Sequence, residues 1–427
     1  MPTPKTPISK TLPPLIMGTA TFNHQYNKDP YSLPTNALIQ DALDNGIRAF
    51  DTSPYYGPSE ELLGKALSTE YIQKHHPRST YHLLTKVGRI GGSSFDYSPK
   101  WIRKSVKRSL ERLNTSYLDV VYCHDVEFVS EDEVIEAVKE LRRIRDSSSS
   151  SDDSSSSPVV KYIGISGYPV EVLVRIAEKI LHETGEPIDL VMSYANYTLQ
   201  NTRLLSVGLD RFLAAGVDVV LNASLLGMGL LRRSGVPIGG MGDFHPAPGG
   251  LRDAVQQASD WIVNQNQSQQ QQQQQREEEL LKIEVVAIRF ALESWLRNGA
   301  VAGAMGPFPT SLSLPSSSAV PSIPSSNATT NQEKTTNNNN NRRLGISVMG
   351  VSNFNELHET LNIWRNVVNG LQNDEQQQQQ HSHNLILAQG VRSVLGPTWF
   401  DYAWLSPPPD FVNSLPPDHI AFKESLD

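Results

Sequence analysis

Four side chains capable of acid–base chemistry follow three successive apolar segments of the chain. Asp51 and Tyr56 lie in FDTSPYYG, Lys86 ends LLTK, and His124 ends VVYCH. Each residue alone is typical of a capping, rim or solvated position. Together they indicate chemistry, because a Lys ammonium beside a phenol favours the phenolate and lowers its pKa from about 10.

The other two groups complete a proton-transfer site. Asp51 would keep Lys86 charged, and His124 would bond a reacting oxygen. This combination is what a general acid or base needs when hydride moves to or from a carbonyl carbon.

Eight short apolar runs alternate with segments of helical period, which indicates βα units and a parallel sheet. The chain lacks a Gly-x-Gly-x-x-Gly turn, so eight strands favour a (β/α)8 TIM barrel over a doubly wound sheet. Strand ends meet at one face of such a barrel, so the four side chains are expected to converge there. The predicted strands are residues 15–19, 47–50, 81–85, 118–123, 162–165, 190–193, 217–221 and 346–349.

Low-complexity stretches rich in Ser, Gln, Pro or Asn interrupt this pattern at 147–157, 264–276, 309–343 and 374–383. Such compositions cannot build a packed core, so we expect disordered loop insertions, with partner recruitment as the alternative role. Without them, the 427-residue chain matches a single barrel with a core of about 12–370.

Charge and composition argue against several classes of protein. The net charge is −8 and the basic residues are scattered, so no nucleic-acid partner is expected. Absence of a long apolar run or signal-peptide pattern, and a single cysteine, predict a cytoplasmic protein without a membrane partner. The His pairs lack carboxylate or Cys partners at ligand spacing, so no metal is expected. Nothing indicates the oligomeric state.

The blocks FDTSPYYG, LLTKVG, YLDVVYCHD and YIGISGYP resemble the signature blocks of the aldo-keto reductase superfamily over about residues 15–361. The resemblance implies a nicotinamide-dependent oxidoreductase with Asp51, Tyr56, Lys86 and His124 as catalytic tetrad. Tyr55 is the weaker candidate, because the family's Tyr directly precedes Gly.

A narrower resemblance is to the D-arabinose 1-dehydrogenase and L-galactose dehydrogenase subgroup, through FDTSPYYGPSE, HDVEFV and ISGYP. It implies oxidation of an aldose at C1 to the lactone, with Tyr56 as general base. The alternatives are an NADPH-dependent aldehyde or ketone reductase, and a non-catalytic nucleotide-binding regulatory barrel.

The resemblance also implies cofactor positions. Gly167 stands where many members have Asn, and Ala223 where many have an aromatic residue. Glu356 aligns with the Arg that binds the 2′-phosphate in NADP-preferring members, which predicts NAD, with NADP as the alternative. The implied contacts are Ser166, Ser193, Ser224, Leu226, Gly350, Ser352, Asn353 and Glu356.

Three local features have simpler expectations. Asn353 and Glu356 also match a helix capping box. Strand alternation points Cys123 toward the helix layer, where it would be inert. The aromatic segment GPTWFDYAWLSPPP would either fold over the pocket, with Trp399 or Trp404 against a sugar, or pack on the barrel wall.

Overall fold

The computed structural model describes residues 5–147, 158–236, 244–270, 282–305, 343–370, 375–416 and His419. Eight parallel strands close into a barrel in chain order, with the last strand hydrogen-bonded to the first. All eight predicted strands are present, so the (β/α)8 prediction is confirmed. The strands are Leu15–Gly18 (β1), Ala49–Asp51 (β2), His82–Val87 (β3), Leu118–His124 (β4), Val160–Gly167 (β5), Leu190–Tyr194 (β6), Val219–Ala223 (β7) and Ile346–Gly350 (β8).

Helices surround the barrel. None of them, within the described parts of the chain, is long and apolar enough to cross a membrane. They are Thr35–Asp44 (α1), Ser59–Leu67 (α2), Glu70–His75 (α3), Pro99–Arg112 (α4), Glu131–Ser147 (α5), Val170–Thr184 (α6), Leu209–Ala214 (α7), Gly249–Gln270 (α8), Ile283–Asn298 (α9), Phe354–Asn369 (α10) and Glu375–Trp399 (α11).

Two strands, β2 and β7, begin two residues later than the apolar pattern predicts, and β3 begins one residue later. Gly46 adopts a left-handed backbone with φ 94° after α1, and the Ile47 amide then donates to the Ala42 carbonyl at 2.9 Å. Gly216 and Val217 close α7 in the same way. These apolar residues therefore end helices, which is a usual role for the residue after a capping glycine.

Apolar side chains form two layers. The outer cluster fills the space between strands and helices, and the inner cluster fills the barrel. In the inner cluster the Tyr122 ring occupies the space beside Gly164, where a Cβ would lie 2.3 Å from the ring. Ile8 and Leu12 also belong to the inner cluster, so the packed unit begins before the predicted core boundary at 12.

The predicted insertions lie largely outside the described residues. Where they are described, residues 264–270 continue α8 and residues 375–383 form the start of α11. Glutamine has good helix propensity, so a Gln-rich run can prolong a packed helix, which composition alone did not reveal. Because α11 packs against α8 and α9, the barrel's helical layer extends beyond the predicted boundary at 370.

Candidate active site at the carboxyl ends of the strands

Lys86 and Asp51 form a buried ion pair where β3 and β2 end. The Lys86 Nζ lies 2.7 Å from Asp51 Oδ1 and donates to the Thr52 carbonyl at 2.8 Å. Burial raises the pKa of Asp51, although the Lys86 charge opposes this. Asp51 Oδ2 has no hydrogen-bond partner in the part of the chain that the structure describes. The pocket base therefore holds an ammonium whose counter-ion is only partly satisfied.

Tyr56 lies over this pair. Lys86 Nζ is 4.9 Å from its ring centroid. Burial, followed by the Asp51 and Asp125 carboxylates, raises the pKa of Tyr56 well above its ordinary value. The expectation of a lowered pKa is therefore wrong for this structure, because burial and the two carboxylates disfavour the phenolate. The raised pKa favours the neutral phenol.

His124 presents a neutral imidazole beside Tyr56, with the two rings perpendicular and their centroids 5.7 Å apart. Burial lowers the pKa of His124 to about 3, although Asp125 opposes this. Ser53 Oγ accepts from the Tyr55 amide and lies 3.0 Å from His124 Nδ1. If Ser53 gives its one proton to Nδ1, the ring proton sits on Nε2 and can be donated to a ligand.

Tyr97 fixes the end of β4. Its hydroxyl donates to the His124 carbonyl at 2.6 Å. This approach depends on Gly88, whose φ is 96° and whose Cβ, if present, would lie 2.2 Å from the Tyr97 ring. The position of His124 thus depends on a glycine that the sequence did not single out.

Tyr55 and Cys123 have supporting positions. The Tyr55 hydroxyl accepts hydrogen bonds from Gln25 and Arg89, each at 3.1 Å, so two donors already engage it. Cys123 lies in the outer cluster, as alternation predicts, and burial raises its pKa to about 12. Neither geometry suits a proton-transfer or nucleophilic role.

A second buried ion pair, which the sequence did not reveal, borders the tetrad. Arg89 contacts Asp125 Oδ2, and these side chains are 15% and 3% exposed. The same Oδ2 lies 3.5 Å from His124 Nε2. Asp125 belongs to the HDVEFV block, but charged residues after a strand are typically solvated, so its burial could not be predicted from its position in the sequence.

Glu127 occupies the space beside Gly167. Its Oε1 accepts from the Tyr168 amide and the Ser406 hydroxyl, each at 3.0 Å. A Cβ at position 167 would lie 2.4 Å from Glu127 Oε2, so the Asn of many family members would require the Glu127 carboxylate to move. Burial, and then the charge of Asp125, raise the pKa of Glu127 to about 8.

The predicted nicotinamide contacts lie on different sides of the sheet. Ser166 is the Cα partner of His124 and shares its inward side, which faces the pocket. Ser193 points outward by the same alternation, and its hydroxyl accepts from Asn196 Nδ2 at 3.0 Å. The following residue, Tyr194, packs against the inner cluster instead. The structure thus brings Ser166 and Tyr194, but not Ser193, to the pocket.

The loop after β7 consists of tight turns. Ser224 has a left-handed backbone with φ 55°, and its carbonyl accepts from the Gly227 amide at 2.8 Å. Leu226 is half-buried in these turns. Ala223, which lacks the family's aromatic ring, is the Cα partner of Tyr194. Tyr194 therefore supplies an aromatic ring from the neighbouring strand.

A carboxylate occupies the N-terminus of α10. Asn353 Oδ1 accepts from the Glu356 amide at 2.9 Å, and Glu356 Oε2 accepts from the Ser352 amide at 2.7 Å. The capping interpretation is confirmed. Gly350 is exposed where β8 ends, just before this helix. The N-terminus of α10 carries a partial positive charge that favours anions, and the Glu356 carboxylate already occupies it.

Two cations near this helix in sequence, His358 and Arg343, are engaged elsewhere, and Arg342 lies outside the described residues. His358 lies 2.6 Å from Asp41. Arg343 pairs with Asp218 and donates to the Gly303 carbonyl, ahead of the amino ends of β7 and β8 and therefore at the opposite face of the barrel.

The aromatic C-terminal segment crosses the carboxyl face. Trp404 is buried and stacks on Tyr168, with centroids 4.5 Å apart and an interplanar angle of 5°. Further on, Asn413 Nδ2 donates to the Phe95 carbonyl at 2.9 Å. Trp399 is half-buried, and its carbonyl accepts from Gln200 at 2.7 Å. The segment therefore covers this face, with its Trp404 ring packed on protein.

Comparison with known proteins identifies the family. Residues 14–378 match the Aldo/keto reductase family. D-arabinose 1-dehydrogenase of Saccharomyces cerevisiae is 40% identical over 290 residues, covering 67% of this chain and 77% of that protein. L-galactose dehydrogenase of Arabidopsis thaliana is 35% identical, covering 52% and 63%, and D-threo-aldose 1-dehydrogenase of Pseudomonas sp is 26% identical, covering 64% and 79%. The chain therefore belongs to the aldo/keto reductase family, a family of oxidoreductases that bind nicotinamide cofactors.

Proposed function

We propose that the protein oxidises an aldose at C1 to the aldonolactone, with NAD as the hydride acceptor. The observation that carries the proposal is the Tyr56 phenol beside the neutral His124 ring, 5.7 Å away, over the buried Lys86–Asp51 pair. The relatives named D-arabinose 1-dehydrogenase and L-galactose dehydrogenase support an aldose as substrate.

Tyr56 is the proton-transfer residue in this proposal. As the phenolate it accepts the proton of the C1 hydroxyl while hydride leaves C1, and His124 Nε2–H donates to the same oxygen. Bound NAD supplies the hydride acceptor and a positive charge that offsets the raised pKa of Tyr56. Lys86, held in place by Asp51, stabilises the phenolate once it forms.

The residues present fit a dinucleotide along the strand ends from β5 to β8. Ser166 places a hydroxyl on an otherwise apolar inner face, and the half-buried Tyr194 ring lies beside Ala223. We assign the nicotinamide to Ser166 and Tyr194, the pyrophosphate to Ser224 and Leu226, and the adenosine end to Gly350, Ser352, Asn353 and Glu356.

The preference for NAD follows from Glu356. Its carboxylate would repel a 2′-phosphate and can accept a hydrogen bond from a ribose hydroxyl. Because His358 and Arg343 are paired elsewhere, neither is placed to offset this repulsion.

Initial rates of nicotinamide reduction test the proposal. The substrates are D-arabinose, L-galactose and L-fucose, each with NAD and with NADP. We expect aldose oxidation that is faster with NAD. A purified, folded protein that is inert toward all three sugars with both cofactors would contradict the proposal.

A second function is an NADPH-dependent aldehyde or ketone reductase. The raised pKa of Tyr56 favours it, because a neutral phenol is the acid that carbonyl reduction needs. Reduction of simple aldehydes with NADPH, without aldose oxidation, would establish this function instead.

A further inference from the structure

The Arg89–Asp125 pair lies next to the reacting atoms. Asp125 Oδ2 is 3.5 Å from His124 Nε2, the nitrogen assigned to the C1 oxygen. Arg89 Nη2 donates to the Tyr55 hydroxyl at 3.1 Å, and the guanidinium lies 3.9 Å from the Tyr55 ring centroid. The Asp125 carboxylate is thus held rigidly at one side of the proposed C1 position.

Stability alone is a weak explanation for this pair. Burying two charges costs desolvation that their attraction often does not recover. Asp125 also has a left-handed backbone, with φ 55°, a conformation that Asp tolerates better than most residues and that occurs often at functional sites. A separate buried pair, Arg78–Asp119, already links the chain before β3 to β4 at the other end of the barrel.

We propose that Asp125 recognises the C2 hydroxyl of the sugar, with Arg89 as its positioning residue. This inference rests on the proposed aldose oxidation. Neighbouring hydroxyl oxygens of a sugar lie about one hydrogen-bond length apart. With the C1 oxygen on Tyr56 and His124, a C2 hydroxyl therefore comes within reach of Asp125.

The chemistry of the carboxylate suits this role. A carboxylate has several lone pairs, and Arg89 needs only one of them, so Asp125 can accept a hydroxyl proton as well. An analogue without the hydroxyl leaves a buried charge partly unsatisfied, which is a strong source of specificity. The subsite selects both for a C2 oxygen and for its configuration.

Three pentoses isolate the C2 position. D-arabinose and D-ribose differ only in configuration at C2, and 2-deoxy-D-ribose lacks that hydroxyl. For the wild type we expect kcat/KM for D-arabinose to exceed that for 2-deoxy-D-ribose by about 100-fold, the value of one hydrogen bond to a charged group. Equal values would overturn the inference without any variant.

Two substitutions then assign the discrimination to Asp125. Asp125→Asn keeps the size and tolerates the left-handed backbone, and Asp125→Gly removes the side chain without strain. Each should reduce the D-arabinose preference to within about 10-fold, mainly through a raised KM for D-arabinose. Arg89→Lys should give an intermediate preference, because Lys keeps the charge but not the fork geometry.

The matched control is Asp119→Asn, which breaks the buried pair at the opposite end of the barrel and should keep the wild-type preference. If the Asp125 variants slow all three sugars equally, the pair is structural and the inference fails. If the wild type oxidises no aldose, the proposed function itself fails.

Discussion

The two ends of the barrel treat their buried carboxylates differently. At the amino end, Asp119 accepts from the Leu83 amide at 2.9 Å, from Arg78 at 2.7 Å and from Lys161 at 3.1 Å. Burial raises the pKa of Asp119, but the nearby His82 and Arg78 outweigh it, so this pKa lies well below its usual range.

At the carboxyl end, two buried carboxylates are incompletely matched. Asp51 Oδ2 and Glu127 Oε2 lack hydrogen-bond partners among the described residues, and the pKa of each group is raised. Donors thus satisfy the buried acceptor where the barrel needs stability, whereas acceptors without a donor remain where a ligand is expected, as in barrel enzymes generally.

The same isosteric change, Asp to Asn, should lower stability at the amino end of the barrel and catalytic activity at the carboxyl end. Asp119→Asn should lower the free energy of unfolding by about 3 kcal/mol, because Arg78 and Lys161 lose their shared carboxylate, and should leave kcat/KM unchanged. Asp51→Asn should lower kcat/KM by at least about 100-fold. Urea unfolding and steady-state rates check both. A folded Asp119→Asn protein without activity would break the comparison.

The preference between NAD and NADP should depend on the charge at the N-terminus of α10. Glu356→Arg replaces the carboxylate there with a cation, and should shift the kcat/KM ratio of NADP to NAD upward by at least about 10-fold. Glu359→Arg, an exposed position on the same helix, is the matched control. An unchanged ratio for Glu356→Arg would mean that α10 does not bind the adenosine end.

Glu127 should lower the stability of the folded protein at alkaline pH. Its pKa rises from about 4.5 in the unfolded chain to about 8 in the folded protein, so folding takes up a proton between these values. The stability contribution of this group is therefore full below about pH 4.5 and is lost as the pH rises through 8.

Glu127→Gln should remove that loss, since the amide stays neutral. Its thermal midpoint should match the wild type at acidic pH and exceed it by a few degrees, on the order of 2–4 °C, above pH 8. If the thermal midpoints of the wild type and Glu127→Gln differ by the same amount at every pH, Glu127 is ionised in the folded protein.

The fold was predictable because parallel strands buried on both faces produce apolar runs, and eight such runs suffice for a barrel. The exceptions are local. Ile47 and Val217 are as apolar as strand residues, but they close helices after Gly46 and Gly216, and only hydrogen bonding distinguishes the two roles.

The tetrad was predictable because strand ends converge, whatever the loops do. Arg89 and Asp125 were not, since the Arg89 guanidinium that pairs with Asp125 is covered by the rings of Tyr55, Phe95 and Phe128, which are separated from it in the chain. The direction of the Tyr56 pKa shift also escaped prediction, because the sequence does not show how deeply the phenol is buried or that the Asp51 and Asp125 carboxylates lie near it.

The most direct test of Tyr56 as the proton-transfer residue compares two adjacent phenols. Tyr56→Phe and Tyr55→Phe each remove one hydroxyl from the same loop, and both are assayed for aldose oxidation and thermal unfolding. We predict that Tyr56→Phe loses activity by about 1,000-fold or more while keeping its thermal midpoint, because it removes the proton acceptor. Tyr55→Phe, which loses hydrogen bonds to Arg89 and Gln25, should lose no more than about 10-fold. Retained activity in Tyr56→Phe would show that Tyr56 is not the proton-transfer residue.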